Sequence, residues 1–153
     1  MDLLELAAAD DREAVMAITR QVNDLHVSWR PDIFRQAENL YPEEYFLEDI
    51  RNKALYVARL DGALVGYVCF HIWETNSDAS VPSKVLDIDD ITVDAKYRHQ
   101  GIGQRIMADI REIAGERGCN DIQLSVYPQN ENAVRFYEKC GFRVRNIRYQ
   151  MYI

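Results

Sequence analysis

The sequence has few cysteines and no long apolar run, and each shortage excludes a class of protein. Its 153 residues include only Cys69, Cys119 and Cys140. Three scattered cysteines do not match a disulfide framework or a zinc motif, so we expect reduced thiols and no metal site. No span of about 18 apolar residues occurs, and the N-terminus lacks a basic stretch followed by an apolar one. These absences predict a cytoplasmic protein that does not enter a membrane.

Basic residues are also scarce relative to acidic ones. The chain has 18 lysines and arginines against 25 aspartates and glutamates, a formal net charge of −7. Such a field repels nucleic acids and anionic lipid, so neither is an expected partner. An acidic surface favours a cationic substrate, but it also serves solubility alone, and the charge does not decide between the two.

The composition and the order of apolar patterns predict one folded domain over residues 1–153. Hydrophobic residues make up 48% of the chain and charged residues 28%, as in ordinary globular proteins. Helical spacing predicts helices that begin near Asp10, Pro42, Gly101 and Asn130. Strand patterns occur at residues 3–6, 54–60, 63–73, 85–93, 122–126, 142–144 and 148–153. This order indicates an α/β or α+β sheet with helices on both faces.

The alternation of apolar residues slips by one position in the strand predicted at residues 85–93. Leu86 and Ile88 share one parity, whereas Ile91 and Val93 have the other. A β-bulge at Asp89-Asp90 would return all four apolar side chains to one face of the sheet.

A turn with two glycines lies between that strand and the next amphipathic helix, at residues 98–104. Backbone N–H groups at a helix start, uncrowded at Gly101 and Gly103, can bind a diphosphate, helped by the helix dipole and by Arg98. A dinucleotide fingerprint would require glycine where Ile106 stands, and a P-loop would require Gly-Lys-Ser or Gly-Lys-Thr. Taken alone, the motif is equally compatible with a turn that merely begins a helix.

A second motif, at residues 130–142, begins with Asn130 and contains Ala133 and Tyr137 before a Gly-Phe pair. The two segments together resemble the GNAT acetyltransferase superfamily, whose signatures are Arg/Gln-x-x-Gly-x-Gly/Ala and Asn-x-x-Ala-x-x-x-Tyr-Glu-Lys-x-Gly-Phe. The resemblance covers about residues 54–142. It implies a mixed, mostly antiparallel central sheet of six to seven strands with a bulged fourth strand.

The resemblance also implies functional residues and acetyl-CoA as cosubstrate. Tyr137 would face the thioester sulfur and protonate the departing thiolate, while Asp89 and Asp90 would receive a proton from the acceptor amine, directly or through water. Backbone and side-chain groups on two elements would bind the diphosphate and the pantetheine arm. They are Ile91, Thr92, Val93, Arg98, His99, Gln100, Gly101, Ile102, Gly103, Gln104 and Asn130.

The implied reaction is direct attack of a primary amine on acetyl-CoA in a ternary complex. Acetylation of a protein or peptide amino group and a non-catalytic acyl-CoA-binding domain are the alternatives. The acceptor stays undetermined, and so does the choice between a monomer and a homodimer. Asp87 is a further candidate base, and seven side chains are candidates for acceptor contacts, although ordinary packing explains each of them. They are His26, Trp29, Tyr41, Tyr45, His71, Trp73 and Tyr149.

Overall fold

A computed structural model describes residues 2–153, which contain one five-stranded sheet with the strands in sequence order. The strands are β1 (Leu4–Leu6), β2 (Leu55–Leu60), β3 (Ala63–Thr75), β4 (Ser83–Val93) and β5 (Asp121–Leu124). The helices are α1 (Arg12–Trp29), α2 (Glu43–Arg51), α3 (Ile102–Glu116) and α4 (Glu131–Lys139). Strands β1 to β4 pair antiparallel, and β5 is parallel to β4. The mixed, mostly antiparallel α/β sheet is therefore confirmed, with five strands rather than six to seven.

The β2–β3 hairpin forms where the sequence predicts it. Asp61 and Gly62 connect the strands with φ values of 50° and 81°. Two successive left-handed residues are the requirement of the tight turn that matches the twist of a hairpin. This turn fixes the register of β2 against β3.

Helices cover both faces of the sheet, as expected. On one face, Val68 and Phe70 of β3 pack in a core with Ile106 and Ile110 of α3. On the other face, apolar residues of α1 and α2 pack against side chains of β2 and β3 that have the opposite parity, such as Tyr67. No helix within residues 2–153 is both long and apolar enough to span a membrane.

The predicted bulge in β4 is confirmed. Cys69 of β3 pairs with Asp90 and Phe70 pairs with Ile88, so Asp89 has no partner across the ladder. Because of the extra residue, side chains on both sides of the bulge pack against the core under α3; they are Leu86, Ile88, Ile91 and Val93. Asp90 consequently points to the face covered by α1 and α2.

The expected final strand pair at residues 142–144 and 148–153 is wrong. Residues 142–153 form no strand, and the only backbone hydrogen bond that they make within residues 2–153 is from Phe142 N–H to the Tyr137 carbonyl. An alternating pattern indicates a strand with one apolar face, but a strand also needs a neighbour to pair with. β5 also ends at Leu124 rather than at residue 126, because its pairing with β4 stops at Ile88, directly before the bulge.

Asp109 of α3 holds the start of β1 in place through hydrogen bonds to its backbone. Its buried carboxylate accepts hydrogen bonds from the backbone N–H groups of Asp2, Leu3 and Leu4, at 2.7 to 2.8 Å. Burial alone would raise the pKa of Asp109, but the three N–H donors outweigh it and hold the pKa below its usual range. The ionised carboxylate is therefore the form that stabilises the fold.

We expect Asp109→Asn to destabilise the protein by about 2 kcal/mol, because an amide cannot accept all three N–H donors. A carboxyl whose pKa is lowered by folding contributes stability above its unfolded pKa and loses it as the pH falls through the lower folded value. The difference in unfolding free energy between wild type and variant, measured by urea denaturation, should thus be larger at pH 7 than at pH 3. The control is Asp78→Asn in an exposed loop. An equal effect of both variants would show that Asp109 does not anchor β1.

Candidate active site

The turn before α3 presents a row of unpaired backbone donors. The N–H groups of residues 98–103 donate no hydrogen bond to any group within residues 2–153, whereas the N–H groups of Gln104 and Arg105 bond to the Gly101 carbonyl. Six consecutive N–H groups without protein acceptors at the positive end of a helix dipole can bind an anion. This is the geometry that the two-glycine motif predicts.

The two glycines of this turn serve different purposes. Gly101 has φ 80°, which favours glycine, and nothing lies within 4 Å of the position where a Cβ would stand. At Gly103, a Cβ would come within 3.2 Å of the Phe136 ring on α4. Gly101 therefore gives the turn its shape, and Gly103 allows α4 to approach α3.

The edge of β4 is open beside this turn. β5 ends at Leu124, opposite Ile88 of β4. Residues 89–93 of β4 therefore have no strand on that side within residues 2–153. The side chain of Arg98 folds back, and its Nε donates to the Val93 carbonyl at 2.9 Å. Asp94, and by strand alternation Thr92, direct their backbone groups toward β3, so the backbone of Ile91 and the N–H of Val93 face the open edge and can pair with an extended ligand.

Asn130 lies on the far side of this opening, at the N-terminus of α4. Its Oδ1 accepts the N–H of Ala133 at 3.2 Å and so caps the helix. Capping uses the oxygen and leaves the amide NH₂ free for the ligand contact that the family resemblance implies.

Asp90 is held in a partly buried hydrogen-bond network on the α1 side of β4. Its carboxylate accepts the phenol O–H of Tyr67, and the Thr92 hydroxyl donates to it at 3.2 Å. Thr19 of α1 completes the network, with its Oγ1 2.8 Å from the Tyr67 oxygen. Burial raises the pKa of Asp90, and the donors from Tyr67 and Thr92 oppose that rise without cancelling it.

Asp89, although adjacent, has a different environment. Its side chain is about half exposed and lies 2.9 Å from Nδ1 of His71. Asp87 accepts the indole N–H of Trp73 at 3.2 Å. Only Asp90 among the three aspartates thus accepts a hydrogen bond from a buried phenol, that of Tyr67. The sequence gives no reason to separate the three aspartates, so it does not reveal this difference in environment.

Tyr137 points from α4 toward the same region. The rings of Phe136 and Phe142 contact it edge to face, at centroid distances of 5.4 and 5.8 Å. Burial, together with the negative charge of Asp90, raises the pKa of Tyr137 to about 12. Its hydroxyl has no hydrogen-bond partner among residues 2–153, so a neutral O–H group is available to a ligand at neutral pH.

His26 of α1 also faces this region. Its ring stacks on Phe34 with a centroid distance of 4.8 Å, and Tyr127 and Trp29 lie at its edges. Burial lowers the pKa of His26, although the charge of Asp90 works in the opposite direction. The imidazole is therefore neutral at pH 7 and can accept a proton.

An acidic cavity of about 280 Å³ opens between α1, α2 and the bulge. It is lined by Thr19, Leu40, Tyr41, Asp49, Tyr67, Cys69, Asp89 and Asp90. Tyr41 donates its O–H to Asp49 at 2.5 Å, and burial raises the pKa of the Cys69 thiol to about 12. With three carboxylates and no basic side chain in the lining, the cavity is suited to a cation.

Several of these lining residues escape sequence reasoning. Tyr67 reads as a core tyrosine of a β-strand, and Thr19 and Asp49 read as ordinary positions on amphipathic helices. The pairing of β3 with β4 places Tyr67 opposite Thr92, and this register is the only signal that the sequence offers. Of the acceptor-contact candidates, Tyr41 lines the cavity and His71 contacts one of its aspartates, whereas Tyr45 and Tyr149 are exposed to solvent.

Comparison with known proteins identifies the class that this fold and site define. Residues 20–142 match the acetyltransferase (GNAT) family, and the chain belongs to that family. It is 26% identical over 141 residues to a spermine/spermidine N(1)-acetyltransferase of Bacillus subtilis, a match that covers 90% of this chain and 85% of that protein. The matches to the first three curated relatives span only 40%, 33% and 65% of the length of those proteins.

Solved structures share the fold over nearly the whole chain. The BH1408 protein of Bacillus halodurans, in a mutant form, superposes with a TM-score of 0.93 at 26% identity and covers 99% of each chain. An aminoglycoside N-acetyltransferase solved in complex with CoA has a TM-score of 0.68 at 17% identity, covering 98% of this chain and 99% of that one. The second likeness shows the shared fold alone.

The raised pKa of the partly buried Asp90 leads to a stability prediction. A carboxyl whose pKa is raised by folding contributes stability below its unfolded pKa, and that contribution is lost as the pH rises through the folded pKa. Asp90→Asn cannot ionise, so its stability does not fall as the pH rises through the pKa of Asp90, and its amide oxygen still accepts the Tyr67 O–H. We therefore expect the variant to melt at a higher temperature than wild type at pH 8, with a smaller difference at pH 4. Asp89→Asn, at a half-exposed position, should show a smaller effect. If Asp90→Asn lowered the melting temperature at pH 8, ionised Asp90 would be a stabilising group instead.

Proposed function

We propose that the protein is an N-acetyltransferase that moves an acetyl group from acetyl-CoA to a small cationic primary amine. One observation carries this proposal: the six free N–H groups of residues 98–103 lie at the end of an open β4 edge that leads to Asp90 and Tyr137. Membership of the GNAT family supports the same reading. The whole of residues 1–153 would act as one catalytic domain.

The residues present fit acetyl-CoA. The N–H groups of residues 98–103 and the guanidinium of Arg98 would hold the diphosphate, with His99, Gln100, Ile102 and Gln104 around it. The open backbone of residues 91–93 and the Asn130 amide would hold the pantetheine arm. Acetyl-CoA supplies the activated acyl group, and the protein supplies position, charge and proton transfer.

The side chains at the bulge would manage the charges of the reaction. An alkylamine enters protonated, since its pKa is near 10.4, and must lose a proton before it attacks. Asp90, directly or through water, would take that proton, and neutral His26 is a second acceptor nearby. A backbone N–H near the bulge would stabilise the developing oxyanion, a contribution of about 3 kcal/mol in other enzymes.

Tyr137 would donate its O–H to the departing sulfur. With a pKa of about 12 it is a weaker acid than an exposed tyrosine, so full proton transfer to a thiolate is less favourable than the residue type alone suggests. The hydrogen bond that stabilises the developing negative charge would then be the larger part of its contribution.

The acidic cavity determines the proposed class of acceptor. Its carboxylates raise the local concentration of a cation and disfavour an anionic amine such as a sugar phosphate. The similarity to a spermine/spermidine acetyltransferase agrees with this choice. Acetylation of a peptide amino group and binding of acyl-CoA without turnover are the competing functions.

The decisive test is product formation with three matched acceptors. We expect mass spectrometry to detect acetylated spermidine, with a kcat/KM at least about tenfold above those of glucosamine 6-phosphate and of a neutral peptide with a free N-terminus. A higher kcat/KM for the peptide than for spermidine would indicate that the function is protein acetylation. Cofactor binding without product from any acceptor in a broad amine panel would indicate a binding domain.

The cofactor loop can be tested with two glycines of nearly equal φ. Gly101→Ala and Gly62→Ala each place a Cβ on a left-handed residue, at 80° and 81°, with nothing within 4 Å. Both should lose about 1 kcal/mol of stability. Only Gly101→Ala should weaken acetyl-CoA binding, by about tenfold or more, because relieving the strain there turns the N–H groups away from the diphosphate. Equal calorimetric affinities in the two variants would place the cofactor elsewhere.

Tyr137→Phe keeps the ring contacts and removes only the donor. We expect kcat to fall by about 10²-fold, the low end for a general acid, while acetyl-CoA affinity stays within about twofold. Tyr45→Phe, at an exposed position on α2, is the control and should match wild type. Unchanged turnover in Tyr137→Phe, with chemistry shown to be rate-limiting, would reduce Tyr137 to a packing residue.

A further inference from the structure

Tyr67 carries a buried hydroxyl that packing alone does not require. Its side chain is fully buried, and its ring belongs to the core that contains Val15, Ile18 and Phe46. A phenylalanine would fill the same space, and a buried hydroxyl is unfavourable unless it finds hydrogen-bond partners. The hydroxyl of Tyr67 must therefore be explained by its partners.

These partners lie on two neighbouring elements, β4 and α1. The phenol O–H donates to Oδ2 of Asp90, and Oγ1 of Thr19 donates to the phenol oxygen at 2.8 Å. The Thr19 hydroxyl also lies 2.9 Å from the Val15 carbonyl, one helical turn before it. An ionised carboxylate only accepts hydrogen bonds, so both hydroxyls can direct their hydrogens toward Asp90. The chain from Thr19 through Tyr67 thus ends at a negative charge.

The Asp90 carboxylate is held from two directions. Tyr67 pairs with Thr92 and Cys69 pairs with Asp90 across the β3–β4 ladder, so the Tyr67 hydroxyl reaches Asp90 diagonally. The Thr92 hydroxyl donates to the other carboxylate oxygen, Oδ1, at 3.2 Å. With one donor on each oxygen, the plane of the carboxylate is fixed while it lines the acidic cavity.

Other titratable groups face Asp90 from the elements packed around it. They are His26 of α1, Asp49 of α2, Cys69 of β3, the adjacent Asp89 and Tyr137 of α4. Among the described residues, side-chain hydrogen bonds reach Asp90 only from Tyr67 and Thr92. Of the facing groups only His26 can become a cation, and burial lowers its pKa. At neutral pH the charge of Asp90 therefore depends on neutral hydroxyl donors.

Hydroxyl donors suit a proton acceptor better than a resident cation would. A lysine or arginine beside Asp90 would hold it ionised, but it would also balance the charge and weaken the affinity for a proton. Burial raises the pKa of Asp90, and the Tyr67 and Thr92 donors oppose that rise. The carboxylate can thus stay charged for an incoming cationic amine and still accept its proton.

We propose that Tyr67 and Thr19 are positioning residues that hold the Asp90 carboxylate charged and oriented to take the proton of the acceptor amine. This inference rests on the function proposed above, in which Asp90 receives that proton. In the step itself an N–H bond of the ammonium breaks and an O–H bond to Asp90 forms. The electron pair stays on the nitrogen, which then attacks the thioester. Tyr67 and Thr19 act only through Asp90.

The first experiment follows the Asp90 carboxyl by ¹³C NMR and needs no substrate. Its signal, assigned by its absence from Asp90→Asn, is titrated from pH 4 to pH 9. Tyr67→Phe should raise the pKa of Asp90 by about one unit or more, because a hydrogen bond to a charged group is lost while the ring is kept. Tyr56→Phe is the control, since Tyr56 is a buried tyrosine whose hydroxyl accepts from Arg117. An unchanged pKa in Tyr67→Phe would overturn the proposal.

Thr19→Val and Thr19→Ser test the far end of the chain in the same titration. Valine keeps the shape but removes the donor to Tyr67, which makes the phenol a weaker donor. The pKa of Asp90 should therefore rise, by less than in Tyr67→Phe. Serine keeps a hydroxyl and should restore the wild-type value. A valine variant equal to wild type, or a serine variant equal to the valine variant, would exclude Thr19 from this role.

The second experiment measures kcat/KM for spermidine against pH. The rise of kcat/KM with pH reports the base of the free enzyme, so Tyr67→Phe should move this rise upward by the same amount as the NMR value. For a shift of one unit the variant should lose about tenfold at low pH and recover the wild-type value at high pH. An equal loss at every pH would indicate a merely structural role and would overturn the proposal.

The two experiments separate this inference from the proposed function. A raised NMR pKa with an unmoved rate profile would show that Asp90 is not the proton acceptor, although Tyr67 would still hold its charge. If spermidine is not acetylated at all, the choice of acceptor fails, and the NMR titration alone decides whether Tyr67 and Thr19 hold Asp90 charged.

Discussion

The extra residue in β4 at Asp89 is the constraint on which the candidate site depends. It lets Leu86, Ile88, Ile91 and Val93 share the core under α3, while the Asp90 carboxylate goes to the opposite face beside Tyr67. The pairing of β4 with β5 stops at the residue before it. A regular strand would have either placed apolar side chains in the acidic cavity or a carboxylate in the core. The bulge thus separates a continuous core from an open, polar edge within one strand.

Both chemical features of the site depart from what stability alone would favour. Asp90 is a carboxylate whose burial raises its pKa, and six N–H groups before α3 lack protein acceptors. A protein selected only for stability would have a neutral side chain in place of Asp90 and would supply acceptors for the N–H groups before α3. Features of this kind are typical of functional sites. There, a rigid protein frame fixes polar groups in position before a charged ligand binds. Here the rigid surroundings are the antiparallel β3–β4 ladder and the core that α3 packs against it.

The sequence predicts the parts of this site that depend on local pattern. Parity reveals the bulge, Asp61-Gly62 reveals the hairpin, and the two-glycine motif reveals the N–H turn, because each is encoded within about ten residues. Tyr67 and Thr19 were not predicted as partners of Asp90, since their meeting depends on how α1 packs across the sheet. The strand count was wrong for a related reason: the alternation in residues 142–153 specifies an apolar face but does not specify a neighbouring strand to pair with.

The central claim is that the free N–H groups of residues 98–103 receive the diphosphate of acetyl-CoA, next to a bulge that presents Asp90. An amide-resolved NMR titration of the ¹⁵N-labelled protein with acetyl-CoA tests it most directly. Amide signals of residues 98–103 should shift downfield as they gain charged acceptors, those of Ile91 and Val93 should shift as the open edge is paired, and those of the hairpin at Asp61 and Gly62 should stay in place. Saturable binding that leaves the amides of residues 98–103 unmoved would contradict the account.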